Sequence, residues 1–182
     1  MLKKKVLVNG ISNLSDARYC AGMMVDFLSF ELNENHEDSI PVDKIKEIKD
    51  WLSGPQIGGR LTEWTEGIDW ETLKPDFLII TDQSLLSKAQ EKAPVIFLET
   101  SQSSISGDFD ALIYTGDDLE TMTDKVLIPI FVDLMSQHST LEELSENDKI
   151  TGIGLRGQKE SRPGFSQYDE LMDALEALEE DF

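Results

Sequence analysis

Eight polar side chains stand at or near the ends of apolar runs in this 182-residue sequence: Asn9, Glu31, Arg60, Asp82, Glu99, Tyr114, Asp133 and Arg156. Carboxylates in such places can exchange protons with a substrate or hold a hard cation. The two arginines suit charge-assisted contact with an anion. The Tyr114 phenol is a weak acid, with a reference pKa of ~10. Asn9 carries a neutral amide that accepts no proton at pH 7, so it can only orient a partner. Asn9-Gly10 also suits a tight turn. Asp82, Glu99 and Asp133 have a plainer use, capping the helices that follow them, and that use is the one expected.

Other polar and aromatic residues point away from chemistry. Cys20 lies on an apolar stripe with Ala17, Ala21 and Met24 and reads as a packed thiol. His36 and His138 occur in polar stretches without His-x-x-His or Cys-x-x-Cys spacing, so no metal site is expected. Gly58-Gly59 lacks the context of a phosphate loop and marks a bulge or a close backbone approach. Trp51, Trp64 and Trp70 read as core or inter-helix packing rather than a stacking wall for a ligand.

The elements that must position these residues are eight apolar runs, at 4–10, 25–32, 55–61, 76–82, 94–100, 111–117, 126–133 and 150–156. Several are apolar almost without interruption, as in strands buried on both faces of a parallel sheet. Helices are predicted from Ser15, and over 42–52, 85–93, 119–124, 141–147 and 168–180. The segment 103–110 is too short and glycine-broken for a full helix. The acidic-and-apolar ending reads as a closing helix with a solvated face, before a partner-binding one. This alternation means right-handed βαβ units, in an open doubly wound sheet or a closed (β/α)8 barrel. Eight units favour the barrel. Such barrels usually exceed ~200 residues, so a small, single-domain TIM barrel with shortened helices is expected over 1–182, without linker or repeat.

Charge narrows the partners. With 16 Lys+Arg against 36 Asp+Glu, the net charge is −20. That excess repels nucleic-acid backbones and anionic membrane surfaces. No run approaches the ~18 apolar residues of a membrane span. A hydrophobic content of 40% supports a packed core, and the single cysteine fits a reducing, cytoplasmic setting. Nothing in the sequence sets an oligomeric state.

Both ends carry a more specific pattern. Gly10-Ile11-Ser12-Asn13, Asp16-Ala17 and Asp26-Phe27-Leu28-Ser29-Phe30 resemble the opening of the phosphoribosylanthranilate isomerases. In that family strand one ends Lys-x-Cys-Gly-Ile-Thr, the next helix begins Asp-Ala, and strand two ends Gly-Phe-x-Phe. Near the other end, Glu160-Ser161-Arg162-Pro163-Gly164 resembles the family's Glu-x-x-Pro-Gly after strand eight. The resemblance implies a (β/α)8 barrel and the cofactor-free rearrangement of an aminoaldose to an aminoketose in tryptophan biosynthesis. A Cys base on strand one and an Asp acid on strand six would carry it.

This chain departs from the family at four functional positions together. Asn9 takes the place of the base, and Tyr114 that of the acid. The family's carboxylate-binding Arg falls in the acidic stretch 34–41, and its phosphate-binding Gly-Gly turn reads Val132-Asp133-Leu134-Met135. The leading expectation is therefore a diverged isomerase-like barrel that binds a small anionic, phosphorylated metabolite through Arg60, Arg156, Lys159, Glu160 and Arg162. The second is an active isomerase with Tyr114 or Asp133 recruited for proton transfer and Asn9 facing the ligand. The third is a structural or partner-binding barrel. Neither metal nor cofactor is expected.

Overall fold

The eight runs pair in the order in which they occur. In the computed structural model, which describes residues 1–157 and 169–179, they form a closed barrel of eight parallel strands. These are β1 (Lys5–Asn9), β2 (Phe27–Glu31), β3 (Gln56–Leu61), β4 (Phe77–Ile80), β5 (Ile96–Thr100), β6 (Ala111–Tyr114), β7 (Ile130–Asp133) and β8 (Gly152–Arg156). β8 closes on β1 through five register pairs, from Lys5–Gly152 to Asn9–Arg156. β7 starts four residues later than its run suggests. Pro129 has no N–H for the ladder, and Leu127 is fully exposed.

The helices are short, four to nine residues each: α1 (Leu14–Gly22), α2 (Val42–Asp50), α3 (Trp70–Leu73), α4 (Leu86–Gln90), α5 (Leu119–Lys125), α6 (Leu141–Glu146) and α7 (Asp169–Ala177). Side-chain caps fix several starts. Asn13 accepts the Asp16 N–H at α1, Asp118 that of Thr121 at α5, and Thr140 forms a capping box with Glu143 at α6. The single turn of α3, capped by Asp69, was not foreseen, because one turn gives no measurable periodicity. Residues 101–110 contain no helix, as their glycine and serine content predicts.

Packing inside the barrel follows a large-and-small rule. Phe27, Phe77, Phe97 and Phe131 meet there with ring centroids 5.2–5.7 Å apart, beside Leu7, Ile79, Ala111 and Ile113. Glycines on neighbouring strands make the room. Gly58 is the register partner of Phe77, and a Cβ there would lie 2.6 Å from the Phe77 ring. Gly152 stands in the same relation to Phe131. Gly59 faces the helix layer, where a Cβ would collide with Leu32. The Gly58-Gly59 pair thus serves close approach.

A three-residue pattern recurs without a fixed period. Asp26-Phe27-Leu28, Asp76-Phe77-Leu78 and Asp110-Ala111-Leu112 recur at the starts of β2, β4 and β6. Each aspartate makes a two-way clamp on the preceding strand. The Asp26 carboxylate accepts the Val6 N–H at 2.9 Å, while the Asp26 N–H donates to the Val6 carbonyl at 3.1 Å. Asp76 does the same with Ile57, and Asp110 with Ile96. The fourth place, before β8, has Thr151, which keeps only the backbone half, donating to the Ile130 carbonyl.

Candidate functional site at the barrel mouth

Period two along each strand decides what faces the barrel axis. Above the phenylalanine layer the inward positions are Asn9, Ser29, Glu31, Arg60, Glu99, Asp133 and Arg156, which lie at the C-terminal ends where barrel sites form. Asn9, Ser29, Glu31 and Asp133 are buried. The Ser29 hydroxyl donates to Asn9 Oδ1 at 2.6 Å, and Gly10 turns the chain away from the mouth with a φ of 72°, a conformation that suits glycine.

Arg60 is held by two glutamates. Its Nε and Nη2 donate to the two oxygens of Glu99, each at 2.7 Å, and its Nη1 donates to Glu31 at 2.9 Å. Glu31 is its register neighbour on β2, whereas Glu99 lies two strands away on β5, so the guanidinium spans β4. Burial alone would lower the Arg60 pKa. The bonds and charges of Glu99, then of Glu31, outweigh it and raise the value. A guanidinium fixed in this way has its fork filled by protein carboxylates.

The second charged group is looser. Asp133 accepts from the Ser136 hydroxyl at 2.6 Å and from Arg156 Nη2 at 3.3 Å. Its side chain is 3% exposed and that of Arg156 is 49% exposed. Beside Arg156 lies a groove of about 260 Å3 between the turn after β7, the end of β8 and α7. Leu134, Met135, Leu155, Leu171 and Ala174 form its walls, and Glu170 stands among its lining residues.

Tyr114 does not join this set. Its side chain packs in the cluster between barrel and helices, and its hydroxyl accepts the Asp118 N–H at 3.1 Å. Alignment with the family's acid on strand six puts it at the mouth. Ile113 takes the inward position instead. Asp82 caps the turn after β4 by accepting the Ser84 N–H at 2.8 Å, which holds its carboxyl below the usual range. Glu99 and Asp133 act as ion-pair partners rather than the caps expected of them. Lys159, Glu160 and Arg162 lie outside the described residues.

Elsewhere, Cys20 is buried, and burial, with Asp16 nearby, pushes its thiol up to about 12. Both histidines are exposed. Trp64 and Trp70 stack at 5.7 Å, whereas Trp51 is 72% exposed and corrects the expectation of packing. Reasoning from sequence missed Ser29 and Asn33. Ser29 sits one inward step before Glu31, which was its only signal. Asn33 accepts from the Thr62 N–H and donates to Glu63 and Thr65, tying the loops after β2 and β3 together. Among the described residues, no cluster of His, Cys, Asp or Glu could hold a metal ion. None of their helices is long and apolar enough to cross a membrane.

An eight-stranded parallel barrel with a polar layer at its C-terminal mouth defines the class. No family model matches the chain, and no curated protein matches its sequence. Solved structures do match. The phosphoribosylanthranilate isomerase of Thermus thermophilus superposes with a TM-score of 0.74 at 13% identity, covering 96% of this chain and 98% of that one. The isomerase from Pyrococcus furiosus gives 0.68 at 15% identity, over 95% and 97%. An isomerase in complex with reduced 1-(o-carboxyphenylamino)-1-deoxyribulose 5-phosphate gives 0.72 at 12%, over 95% and 97%. The fold is therefore that of the phosphoribosylanthranilate isomerases along nearly the whole chain. At such identities the likeness is one of fold.

Proposed function

We propose that this chain is a phosphoribosylanthranilate isomerase-like barrel that has lost the aminoaldose–aminoketose rearrangement and binds a small anionic metabolite at its strand ends. The observation that carries this reading is the Glu31–Arg60–Glu99 grip. It commits the more buried of the two mouth arginines to protein carboxylates. Asn9, locked to Ser29, accepts no proton, and the loss of a general base removes ~10²–10⁴ in rate. Among the described residues, Arg156, half exposed beside the groove, is the mouth arginine left to meet an anion.

The test is incubation of the purified chain at high concentration with phosphoribosylanthranilate, following loss of anthranilate fluorescence beside an authentic isomerase. No turnover above the blank is expected, nor any in Asn9→Cys, since Arg60 stays gripped. One observation favours a second reading, an active isomerase. Asp133 is buried at the mouth with its carboxylate inward, where it could transfer a proton. Turnover that disappears in Asp133→Asn would establish that reading and overturn the first.

A further inference from the structure

Trp51 differs from the other two tryptophans. Trp64 and Trp70 stack on each other, whereas Trp51 closes α2 with 72% of its surface open to solvent. A single exposed apolar side chain is ordinary, but this one adjoins a hollow. α2 packs against α3 on one side. On its other side a groove of about 440 Å3 separates it from the start of α1, walled by Leu14, Ile40, Pro41 and Ile48, with the exposed Lys44 and Glu47 beside them. Lys44, Glu47, Ile48 and Trp51 follow one another at the spacing of a single helix face.

Charge selects the occupant. The chain carries a net charge of −20, so two copies repel unless they meet where charge is locally balanced. α2 is balanced: Val42–Asp50 holds three lysines and three acids. Lys44 pairs with Glu47 at 2.6 Å and Lys46 with Asp50 at 2.5 Å. α6, by contrast, holds three glutamates and no base. We infer that the α2 face pairs with the same face of a second copy about a two-fold axis, with the two helices antiparallel. Trp51 of each copy then reaches back along α2 of the other, about 15 Å at 1.5 Å per residue, to Leu14, Ile40 and Pro41. Lys44 of each copy comes to face Glu47 of the other. A two-fold interface must be self-complementary, and this face carries both the aromatic knob and the hollow, both the cation and the anion. A partner recognised through strong charge of either sign would find no net charge here to read. Buried tryptophans also carry a large share of the energy of such contacts. The inference concerns the outer helix layer and stands apart from the mouth.

The experiment is sedimentation equilibrium of the full chain across the micromolar range, repeated on Trp51→Ala, Lys44→Glu and Lys125→Glu. Circular dichroism confirms that each variant is folded. Lys125 is exposed on α5, which lies on the opposite side of the barrel from α2. Its reversal therefore makes the same change in net charge away from the face. A concentration-dependent dimer is expected in the parent chain. Trp51→Ala, which removes the knob, should weaken it roughly tenfold or more. Lys44→Glu, which sets a new acid against Glu47 of the other copy, should weaken it by a similar factor. Lys125→Glu should leave it unchanged. A parent chain that stays monomeric at every concentration would overturn the inference. So would a dimer that Trp51→Ala leaves intact, or one that Lys125→Glu weakens as much as Lys44→Glu.

Discussion

Replacing Arg60 by methionine isolates the energetics of the mouth. The guanidinium makes three charge-assisted bonds of 2.7–2.9 Å to carboxylates whose side chains are 3% and 11% exposed. Methionine fills similar volume and leaves Glu31 and Glu99 facing each other with no cation. Breaking a buried pair by removing one partner costs about 3–5 kcal/mol. Glu99 retains some water, so the lower end applies, about 3 kcal/mol at pH 7.5. For a chain of this size that is a fall in Tm of roughly 6–12 °C. The pH dependence has a definite sign. Stranded carboxylates favour their neutral forms in the folded variant. Their penalty is therefore fully present well above their folded pKa values and is relieved as pH falls. Melting followed by circular dichroism should show the gap to the parent chain narrowing between pH 7.5 and pH 5. The triple variant Glu31→Gln, Arg60→Met, Glu99→Gln, which removes every charge, should recover most of the loss. Arg60→Met melting within 2 °C of the parent at both pH values would refute the claim that the grip is buried and internally compensated.

Further expectations concern the rest of the barrel. Asp110→Ala removes the acceptor of the Ile96 N–H and should cost about 1–2 kcal/mol, with faster hydrogen exchange at that amide. Gly58→Ala places a methyl 2.6 Å from the Phe77 ring and should cost about 2 kcal/mol or more by denaturant unfolding. Adding Phe77→Leu should return part of it. Cys20, with its thiol pushed up to about 12, should resist iodoacetamide at pH 8 while folded. It should react readily once unfolded, and rapid native labelling would contradict its burial.

The strand order was legible because each strand is a nearly unbroken apolar run between polar segments, and that pattern survives without alternation. The same property hid the facing. In the run around β6, Ala111, Leu112, Ile113 and Tyr114 are all buried, so no polar residue reports which side meets the barrel axis. Nothing in the run therefore speaks against aligning Tyr114 with the family's acid. On β3, by contrast, Arg60 stands between Gly59 and Leu61, and its charge announced its position. The ion pairs were illegible for another reason. Glu31 and Arg60 are neighbours only through register, and Glu99 reaches them across a whole strand. The aspartate clamp was visible as Asp-x-Leu at three strand starts, but intervals of 50 and 34 residues between its copies do not produce a fixed period.

Those clamps lie at the N-terminal ends of the strands, a barrel's length from Arg60 and Arg156. Each joins an odd strand to the even strand that follows, so the barrel is stitched in pairs, with Thr151 keeping a backbone stitch in the fourth. Four of the eight strand pairs are thus anchored at one rim, and the polar layer is displayed at the other. A substitution at the mouth is tried against a scaffold already secured elsewhere, which gives the displayed rim licence to change its repertoire. Asn9 and the filled Arg60 fork stand at the end that is free to be rewritten, while the other end keeps its strands paired.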